Sequence, residues 1–263
     1  MTSKAILVDT SNCVGCRACM VACKEWNALP AETVARTLAG SYQNRDDFTA
    51  QTWTVVRFAE QTTGDGMQWL FAKTQCMHCA DAPCVSVCPT GAMQKDGTVT
   101  YLDETKCGGE GYCVAACPFG AVAFDEGKGI VQKCTMCIDR IEHGQTPACV
   151  KACPADALRY GERADIVAAA EKRVGTLKGR GVARARTYGV DELGGLAYVY
   201  VLKDDPSAYQ LPASPSAKAV RMGDQVRDWA VGAVAFALGT LPLWWVFKRR
   251  EALAVRRDDQ EVR

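Results

Sequence analysis

The chain is poor in the residues that most catalytic sites use, since it contains only two histidines, His78 and His143, in 263 residues. Neither a nucleophile with an adjacent base nor a phosphate-binding glycine loop can be recognised. A formal net charge of +1 leaves no excess of basic residues of the kind that binds nucleic acid. These absences predict a protein with no substrate-converting site of its own and no nucleic-acid partner. We expect both histidines to be structural or to support nearby ligands.

A targeting signal is also absent from the first residues, MTSKAILVDTSNC. They show neither the apolar core of a signal peptide nor a pair of arginines. If the protein acts outside the cytoplasm, we expect it to cross the membrane with a partner that carries the signal.

Cysteine, by contrast, is abundant, with 15 residues that fall into four groups. The groups are Cys13, Cys16, Cys19 and Cys23; Cys76, Cys79, Cys84 and Cys88; Cys107, Cys113 and Cys117; and Cys134, Cys137, Cys149 and Cys153. An odd count in a chain of this length does not fit a disulfide scaffold, which is typical of short secreted domains. Structural zinc uses Cys-x2-Cys pairs but does not need the proline that follows three of these groups. We therefore expect iron-sulfur clusters.

The cysteine groups follow, with insertions, the bacterial cluster-binding run Cys-x2-Cys-x2-Cys-x3-Cys-Pro. Residues 13–23 fit this run without a gap, whereas residues 76–89 carry two extra residues before the third cysteine and residues 134–154 a longer loop. In such a run three cysteines hold one cluster and the fourth reaches a second cluster. The runs are therefore expected to act in pairs.

A repeated pattern after the cysteines indicates the fold class. The segments CPTGAM, CPFGAV and CPADAL follow three of the runs, and short β-prone stretches occur at residues 98–102, 121–124 and 157–160. Each repeat is too small to bury a core alone. We predict an α+β fold of two bacterial-ferredoxin-like modules, each with two clusters, over residues 1–203.

Other segments complete the predicted cluster domain. Residues 52–60 and 67–76 are expected to form two strands that cover the clusters from water. Residues 162–179 place apolar side chains at helical spacing and predict a packing helix, with a face formed by Ile166, Val167, Ala170, Val174 and Leu177. Residues 195–202, GLAYVYVL, predict a buried strand.

An uncharged segment, WAVGAVAFALGTLPLWWVF, occupies residues 229–247. As a helix rising about 1.5 Å per residue it approaches the roughly 30 Å of a bilayer core, and tryptophans lie at both ends. We predict a polar linker over 204–228, a single transmembrane helix over 229–247 and a basic tail over 248–263. A buried soluble helix is the alternative. The basic tail predicts a cytoplasmic C-terminus with the cluster domain on the periplasmic side of the inner membrane, because positive loops stay inside.

The chain resembles a known family, the four-cluster iron-sulfur subunits of molybdopterin oxidoreductases. The resemblance is greatest to the iron-sulfur (beta) subunits of membrane-bound respiratory formate dehydrogenases. It rests on the cysteine spacing of CMHCADAPC and KCTMCIDRIEHGQTPACVKACP, on RTYGVDELGGLAYVYVL and on the apolar segment near the C-terminus. The cysteine spacing is specific for the superfamily, and the region after residue 155 favours formate over sulfur, nitrate or dimethyl sulfoxide partners.

The resemblance implies four sets of ligands, because in that family the first and fourth runs share one pair of clusters and the two middle runs share the other. The sets are Cys13, Cys16, Cys19 and Cys153 (site 1); Cys76, Cys79, Cys84 and Cys117 (site 2); Cys107, Cys113 and Cys88 with Glu110 (site 3); and Cys134, Cys137, Cys149 and Cys23 (site 4).

Glu110 departs from the family pattern, which has cysteine at this place in the run KCGGEGYCVAACP. A carboxylate is an acceptable hard ligand for iron, so site 3 would hold either a [4Fe–4S] cluster bound by Glu110 or a [3Fe–4S] cluster. An empty site, or a solvated Glu110 with no ligand role, remains as the alternative. The resemblance thus implies three [4Fe–4S] clusters and a fourth of altered type.

The function implied by the resemblance is electron transfer. Electrons would pass from a formate-oxidising catalytic subunit with molybdopterin, containing molybdenum or tungsten, through the four clusters to a membrane subunit with haem b that serves quinone. The catalytic subunit would carry a twin-arginine signal, because clusters are assembled in the cytoplasm. Four alternatives remain open: the equivalent subunit of a membrane-bound hydrogenase, that of another molybdopterin oxidoreductase, a zinc-stabilised membrane scaffold, and a cluster domain that faces the cytoplasm.

Overall fold

The computed structural model describes residues 3–32, 47–63 and 66–216. The predicted transmembrane helix 229–247 and basic tail 248–263 lie outside these residues, as does the second half of the predicted linker. None of the helices in the described ranges has the length and apolar character needed to cross a bilayer.

The described ranges contain short strands and helices in alternation. The strands are β1 (Lys4–Asp9), β2 (Thr54–Thr63), β3 (Gly66–Gln75), β4 (Met93–Asp96), β5 (Val99–Leu102), β6 (Ala123–Asp125), β7 (Ile130–Gln132), β8 (Leu158–Glu162), β9 (Arg186–Tyr188) and β10 (Tyr198–Leu202). The helices are α1 (Ala18–Trp26), α2 (Pro83–Ser86), α3 (Tyr112–Ala116), α4 (Ile138–Glu142), α5 (Ala148–Lys151) and α6 (Arg163–Gly179). This mixture agrees with the predicted α+β class.

A four-stranded sheet in the order β8-β1-β10-β9 forms the base on which the cysteine-rich core lies. Strand β1 runs parallel to β10 and antiparallel to β8. Because successive side chains point to opposite faces of a strand, Leu7 and Val199 belong to the apolar cluster formed with α6, while Ile6 and Tyr198 belong to the cluster that contains the cysteines. Both faces of the sheet are therefore buried.

Helix α6 confirms the predicted helix and its apolar face. Ile166, Ala170, Val174 and Leu177 are buried against the sheet and Val167 is partly buried. The 3.6-residue period places these side chains on one side of the helix, away from the charged residues.

Three antiparallel hairpins surround the core. The predicted pair of strands at 52–60 and 67–76 is confirmed as β2 and β3, which pair from Thr54 opposite Gln75 to Thr63 opposite Gly66. The hairpins β4–β5 and β6–β7 follow the second and third cysteine runs. Strand β6 begins later than predicted, at Ala123, because the backbone N–H of Ala121 donates to the Cys117 sulfur at 3.4 Å.

The cysteine runs contribute short helices that pack in two pairs. Helix α1 of the first run lies against α5 of the fourth, and α2 of the second run lies against α3 of the third. Elements distant in the sequence are therefore brought together in the first pair and neighbouring elements in the second.

Residues 204–216, which open the predicted linker, fold back onto the sheet. Tyr209 and Leu211 are buried, and the Tyr209 hydroxyl accepts hydrogen bonds from Thr10 Oγ1 at 3.2 Å and from the Lys203 backbone N–H at 3.1 Å. The folded part thus extends beyond residue 203, since these apolar side chains find burial beside β1 and β10.

Candidate metal centres

The thiols of the first and fourth runs lie in two neighbourhoods. Burial and, with smaller effects, the thiols of Cys13 and Cys153 raise the pKa of Cys19 to about 12. Cys16 likewise raises the pKa of Cys13. These four thiols are those of predicted site 1.

Predicted site 4 is the second of these neighbourhoods. Burial and then the thiols of Cys134, Cys149 and Cys23 raise the pKa of Cys137 to about 12. These four cysteines, together with Tyr198, line one enclosed cavity between α1, α5 and β10. The structure thus brings together every residue predicted for site 4.

The middle runs supply the other two neighbourhoods. Burial raises the pKa of the Cys79 thiol, and the thiols of Cys76, Cys117 and Cys84 add to the rise, which groups the residues of site 2. For site 3, burial and then the thiols of Cys88 and Cys107 raise the pKa of Cys113 to about 11. In both sites the thiols come from two different runs.

Electrostatic effects between thiols of different neighbourhoods link the four sites in a row. Cys149 of site 4 raises the pKa of Cys19 in site 1, and Cys134 of site 4 does the same for Cys76 in site 2. Cys113 of site 3 in turn raises the pKa of Cys84 in site 2. The order through the protein is therefore site 1, site 4, site 2, site 3, which differs from the order along the chain.

Exposure of the thiols is greatest at the two ends of this row. Cys16 in site 1 is exposed, and Cys88 and Cys107 in site 3 are half-buried. Cys76 and Cys134, where sites 2 and 4 meet, are buried. The middle of the row is thus kept away from water, while each end approaches the surface.

A common backbone turn follows the first cysteine of every run. The second residue after that cysteine has a left-handed conformation in each case, with φ of 68° at Gly15, 48° at His78, 80° at Gly109 and 57° at Met136. His78 and Met136 hold this conformation although side chains disfavour it. In such turns successive N–H groups point into one concavity that suits an anionic group.

These turns direct backbone hydrogen bonds to sulfur. The N–H of Met136 donates to Cys134 Sγ at 3.4 Å, and backbone hydrogen bonds from Gly15 and His78 reach the thiols of Cys13 and Cys76. Sets of converging thiols with N–H donors around them fit iron-sulfur clusters, which when bound would supply sites that take up and release electrons. In the described ranges, no three His, Cys, Asp or Glu side chains are placed to hold a single metal ion.

Glu110 occupies the turn position that a cysteine occupies in the other runs. It follows Gly109 as Cys16, Cys79 and Cys137 follow their own left-handed residues. Its side chain is exposed and its carboxylate folds over Gly108, where any side chain would collide with it. The backbone is therefore shaped like a ligand turn, while the carboxylate lies on the loop.

Both histidines have roles that are structural in this fold. His78 is buried, and its Nδ1 accepts the N–H of Thr100 at 3.0 Å, so the ring hydrogen lies on Nε2. Burial and the nearby Lys133 hold the pKa of His78 well below its usual value, so the ring is neutral. His143 directly follows α4 and is exposed, and its Nδ1 lies 2.7 Å from the Asp139 carbonyl oxygen.

Sequence reasoning missed two lysines buried among the thiols, Lys73 and Lys133. Lys73 precedes Cys76 by three residues and Lys133 directly precedes Cys134. A lysine within three residues before a cysteine run could have indicated these buried charges. A cation is stabilised beside a cluster of anionic thiolates.

Comparison with known proteins identifies the class. Residues 12–92 and residues 67–163 each match the 4Fe-4S dicluster domain family. Taken with the four thiol groups, these matches make the chain a ferredoxin-like 4Fe-4S protein with two dicluster regions.

Relatives narrow this class further. The nitrate-inducible formate dehydrogenase iron-sulfur subunit of Escherichia coli K12 is 42% identical over 217 residues, which cover 80% of this chain and 73% of the relative. The formate dehydrogenase-O iron-sulfur subunit of the same organism is 40% identical over 244 residues, covering 89% and 79%. Formate dehydrogenase 2 subunit beta (cytochrome c-553) of Nitratidesulfovibrio vulgaris is 36% identical over 216 residues, covering 78% and 96%. The chain belongs to the family of formate dehydrogenase iron-sulfur subunits.

Membership of this family decides among the broad alternatives. The protein is an electron-transfer subunit without a catalytic site of its own, as the sequence analysis predicted. A zinc-stabilised scaffold does not agree with two matches to 4Fe-4S dicluster domains. The structure and the family together confirm iron-sulfur clusters as the cofactors.

The raised thiol pKa values predict how the iron-free protein responds to pH. Burial raises the pKa of Cys19, Cys23 and Cys137 from the ordinary 9.0 to about 12. Between these values the folded form binds more protons than the unfolded form, so its free energy of unfolding falls as pH rises above about 9. The measurement is the thiolate absorbance of the iron-free protein as a function of pH, taken for the folded protein and for the protein unfolded in urea. The absorbance should rise at higher pH in the folded protein than in urea.

The loaded protein is the control, because iron has already displaced these protons and no such titration remains. Identical thiolate titrations with and without urea would contradict the burial of these thiols.

Proposed function

We propose that this chain carries electrons from a formate-oxidising molybdopterin subunit, through four iron-sulfur clusters, to a membrane subunit that contains haem b and reduces quinone. The observation that carries the proposal is the row of four thiol groups whose two ends alone approach the surface. Membership of the formate dehydrogenase family supports formate as the electron source. A hydrogenase or another molybdopterin oxidoreductase is the alternative setting.

The ligands proposed for each cluster are those of sites 1 to 4 as defined above. Three kinds of observation support them: the mutual effects of the thiols on their pKa values, the cavity lined by the four cysteines of site 4, and the repeated turn with its N–H donors. Sites 1, 2 and 4 each have four thiols, which suits [4Fe–4S] clusters.

We propose that each exposed end of the row meets one partner. At site 1 the exposed Cys16 has Val14 and Val21 beside it in the same run, 61% and 67% exposed. Uncovered apolar side chains of this kind suit a protein partner. We assign this end to the catalytic subunit and the site 3 end, near Cys88 and Cys107, to the haem subunit. Electrons would then pass site 1, site 4, site 2 and site 3 in turn.

Breaking the row in its middle tests this function. In the purified complex, Cys134→Ala should leave formate-driven reduction of an artificial dye at the catalytic subunit unchanged, while formate-driven quinone reduction is nearly abolished, because site 4 would lose one of its four thiol ligands. Quinone and dye reduction are assayed side by side, with Glu171→Ala on the exposed face of α6 as the control. Equal rates of quinone reduction in Cys134→Ala and the unaltered complex would refute a path through site 4.

We also propose that Glu110 is a ligand of the site 3 cluster, so that this site keeps a [4Fe–4S] cluster with one oxygen ligand. The left-handed turn at Gly109 supports this, because it places Glu110 at the position of the second cysteine in the other runs. Rotation about the side-chain bonds of Glu110 is open, since the residue is exposed. A [3Fe–4S] cluster is the alternative, with the carboxylate remaining over Gly108.

Replacement by cysteine distinguishes the two forms of site 3. Glu110→Cys should change the electron paramagnetic resonance signal and the midpoint potential of one cluster, because thiolate and carboxylate differ as iron ligands. Iron analysis should give about 16 atoms per chain before and after the change, whereas a [3Fe–4S] site would gain one iron. Glu126→Cys, at an exposed glutamate in the β6–β7 turn, is the matched control. An unchanged spectrum in Glu110→Cys would remove Glu110 from the coordination sphere.

Beyond the folded segment 204–216 we propose the rest of the linker up to residue 228, a transmembrane helix over 229–247 and a cytoplasmic tail over 248–263, with the cluster domain in the periplasm. The uncharged segment and the basic residues behind it support this arrangement. The loaded domain would cross the inner membrane with a catalytic partner that carries a twin-arginine signal.

Fractionation and a reporter test the anchor. The full chain should remain in membranes after an alkaline carbonate wash, whereas a chain ending at residue 228 should be released, because the apolar segment supplies the insertion energy. A green fluorescent protein fused after Arg263 should fluoresce, and alkaline phosphatase at the same place should be inactive. An active phosphatase fusion would reverse the orientation.

A further inference from the structure

Lys73 is a lysine enclosed in the protein core. It lies on β3 with 1% of its surface exposed, and its Nζ donates to Gln75 Oε1 at 2.6 Å. Nζ also lies 4.9 Å from the centre of the Tyr198 ring. No carboxylate in the described part of the chain forms an ion pair with it, so its immediate contacts are an amide oxygen and an aromatic face.

The thiols of two sites act electrostatically on this lysine. Tyr198 links it to site 4, since the Tyr198 hydroxyl is 3.9 Å from Cys134 Sγ and the ring lines the cavity of that site. Burial alone would lower the pKa of Lys73, but the thiols of Cys149, Cys19, Cys134 and Cys23 raise it above its usual value. Three of these thiols belong to site 4, and Cys19 belongs to site 1.

An enclosed ammonium group without a counter-ion is costly, because the low-dielectric interior disfavours an isolated charge. The cost is offset only if negative charge lies close by. Cysteine thiolates on iron-sulfur clusters supply such charge, and each electron that a site accepts adds one more negative charge. Clusters bound at sites 1 and 4 would therefore explain why the Lys73 ammonium group is stable in the protein core.

We propose that the Lys73 ammonium is the fixed counter-charge shared by sites 1 and 4 and that it raises the reduction potential of both. This inference rests on the proposed function. A nearby positive charge stabilises the state with the extra electron, so an electron arriving at site 1 is held there and at site 4 more strongly than it would be without Lys73. Lys73 thus acts as a positioning charge for electron transfer at the start of the row.

Lys133 provides a matched comparison because it faces a different site. Its Nζ donates to the carbonyl oxygens of Thr100 and Cys134, the latter at 3.0 Å. It holds down the pKa of Cys76 and Cys84, which both belong to site 2. Loss of this charge should affect site 2, whereas loss of the Lys73 charge should affect sites 1 and 4.

The experiment is a redox titration of the whole complex, followed by electron paramagnetic resonance. Lys73→Met keeps the length of the side chain and removes its charge, so we expect two titration steps to move to more negative potential. Lys73→Arg, which keeps the charge, should restore them. Lys133→Met should move a different step, and Lys178→Met, at an exposed lysine in the last turn of α6, should move none.

Iron and sulfide analysis accompanies each variant. If Lys73→Met loads less iron than the unaltered protein, Lys73→Gln replaces it, since that side chain is uncharged and can still hydrogen-bond to Gln75. The inference would be overturned if the titration steps keep their potentials in a fully loaded Lys73→Met or Lys73→Gln variant. It would also be overturned if the same steps move equally in Lys178→Met. An unaltered complex with no cluster signals at all would instead overturn the proposed function, so the two failures are distinct.

Discussion

Placing many thiols close together in a dry interior is the constraint on which this structure depends. Burial and neighbouring thiols raise the pKa of Cys19 in site 1, Cys79 in site 2 and Cys137 in site 4, so the bare protein disfavours the deprotonated sulfurs that iron requires. The protein answers with N–H groups from left-handed turns and with lysines enclosed beside the sulfurs. Strained backbone at His78 and Met136 and the buried charge of Lys73 are explained by this one requirement.

The four-stranded sheet gives the sites a rigid base. Its strands β1 and β10 are buried on both faces, with α6 on one side and the thiols on the other. Tyr198 and Tyr200 point to the thiol side, where Tyr198 approaches Cys134 and Tyr200 donates a hydrogen bond to the Lys73 carbonyl oxygen at 3.0 Å. Strand β10 therefore contributes Tyr198 to site 4 and, through Tyr200, also holds strand β3, which carries Lys73.

Features encoded by local patterns could be predicted from the sequence. The spacing of the cysteines indicated the cofactor, the apolar period from Ile166 to Leu177 indicated α6, and the strands around TTGDG indicated the β2–β3 hairpin. The ligand sets of sites 1 to 4 came from family resemblance, because spacing alone does not say which run lies beside which.

Features that depend on distant contacts were missed. Strand β1 has no alternating pattern because it is buried on both faces, and the sheet that it forms joins it to residues 150 or more positions away. The burial of Lys73 cannot be read from β3 alone, since it requires Tyr198 and thiols from the first and fourth runs. Tyr209 likewise finds its place through Thr10 at the other end of the domain.

The central place of β1 has a consequence for biosynthesis. Strand β1 is translated before both of its partners, β8 and β10, which are among the last strands of the described domain. The sheet therefore cannot close during elongation. The cysteines of the first run therefore have no completed sheet beneath them until residue 202 has emerged from the ribosome.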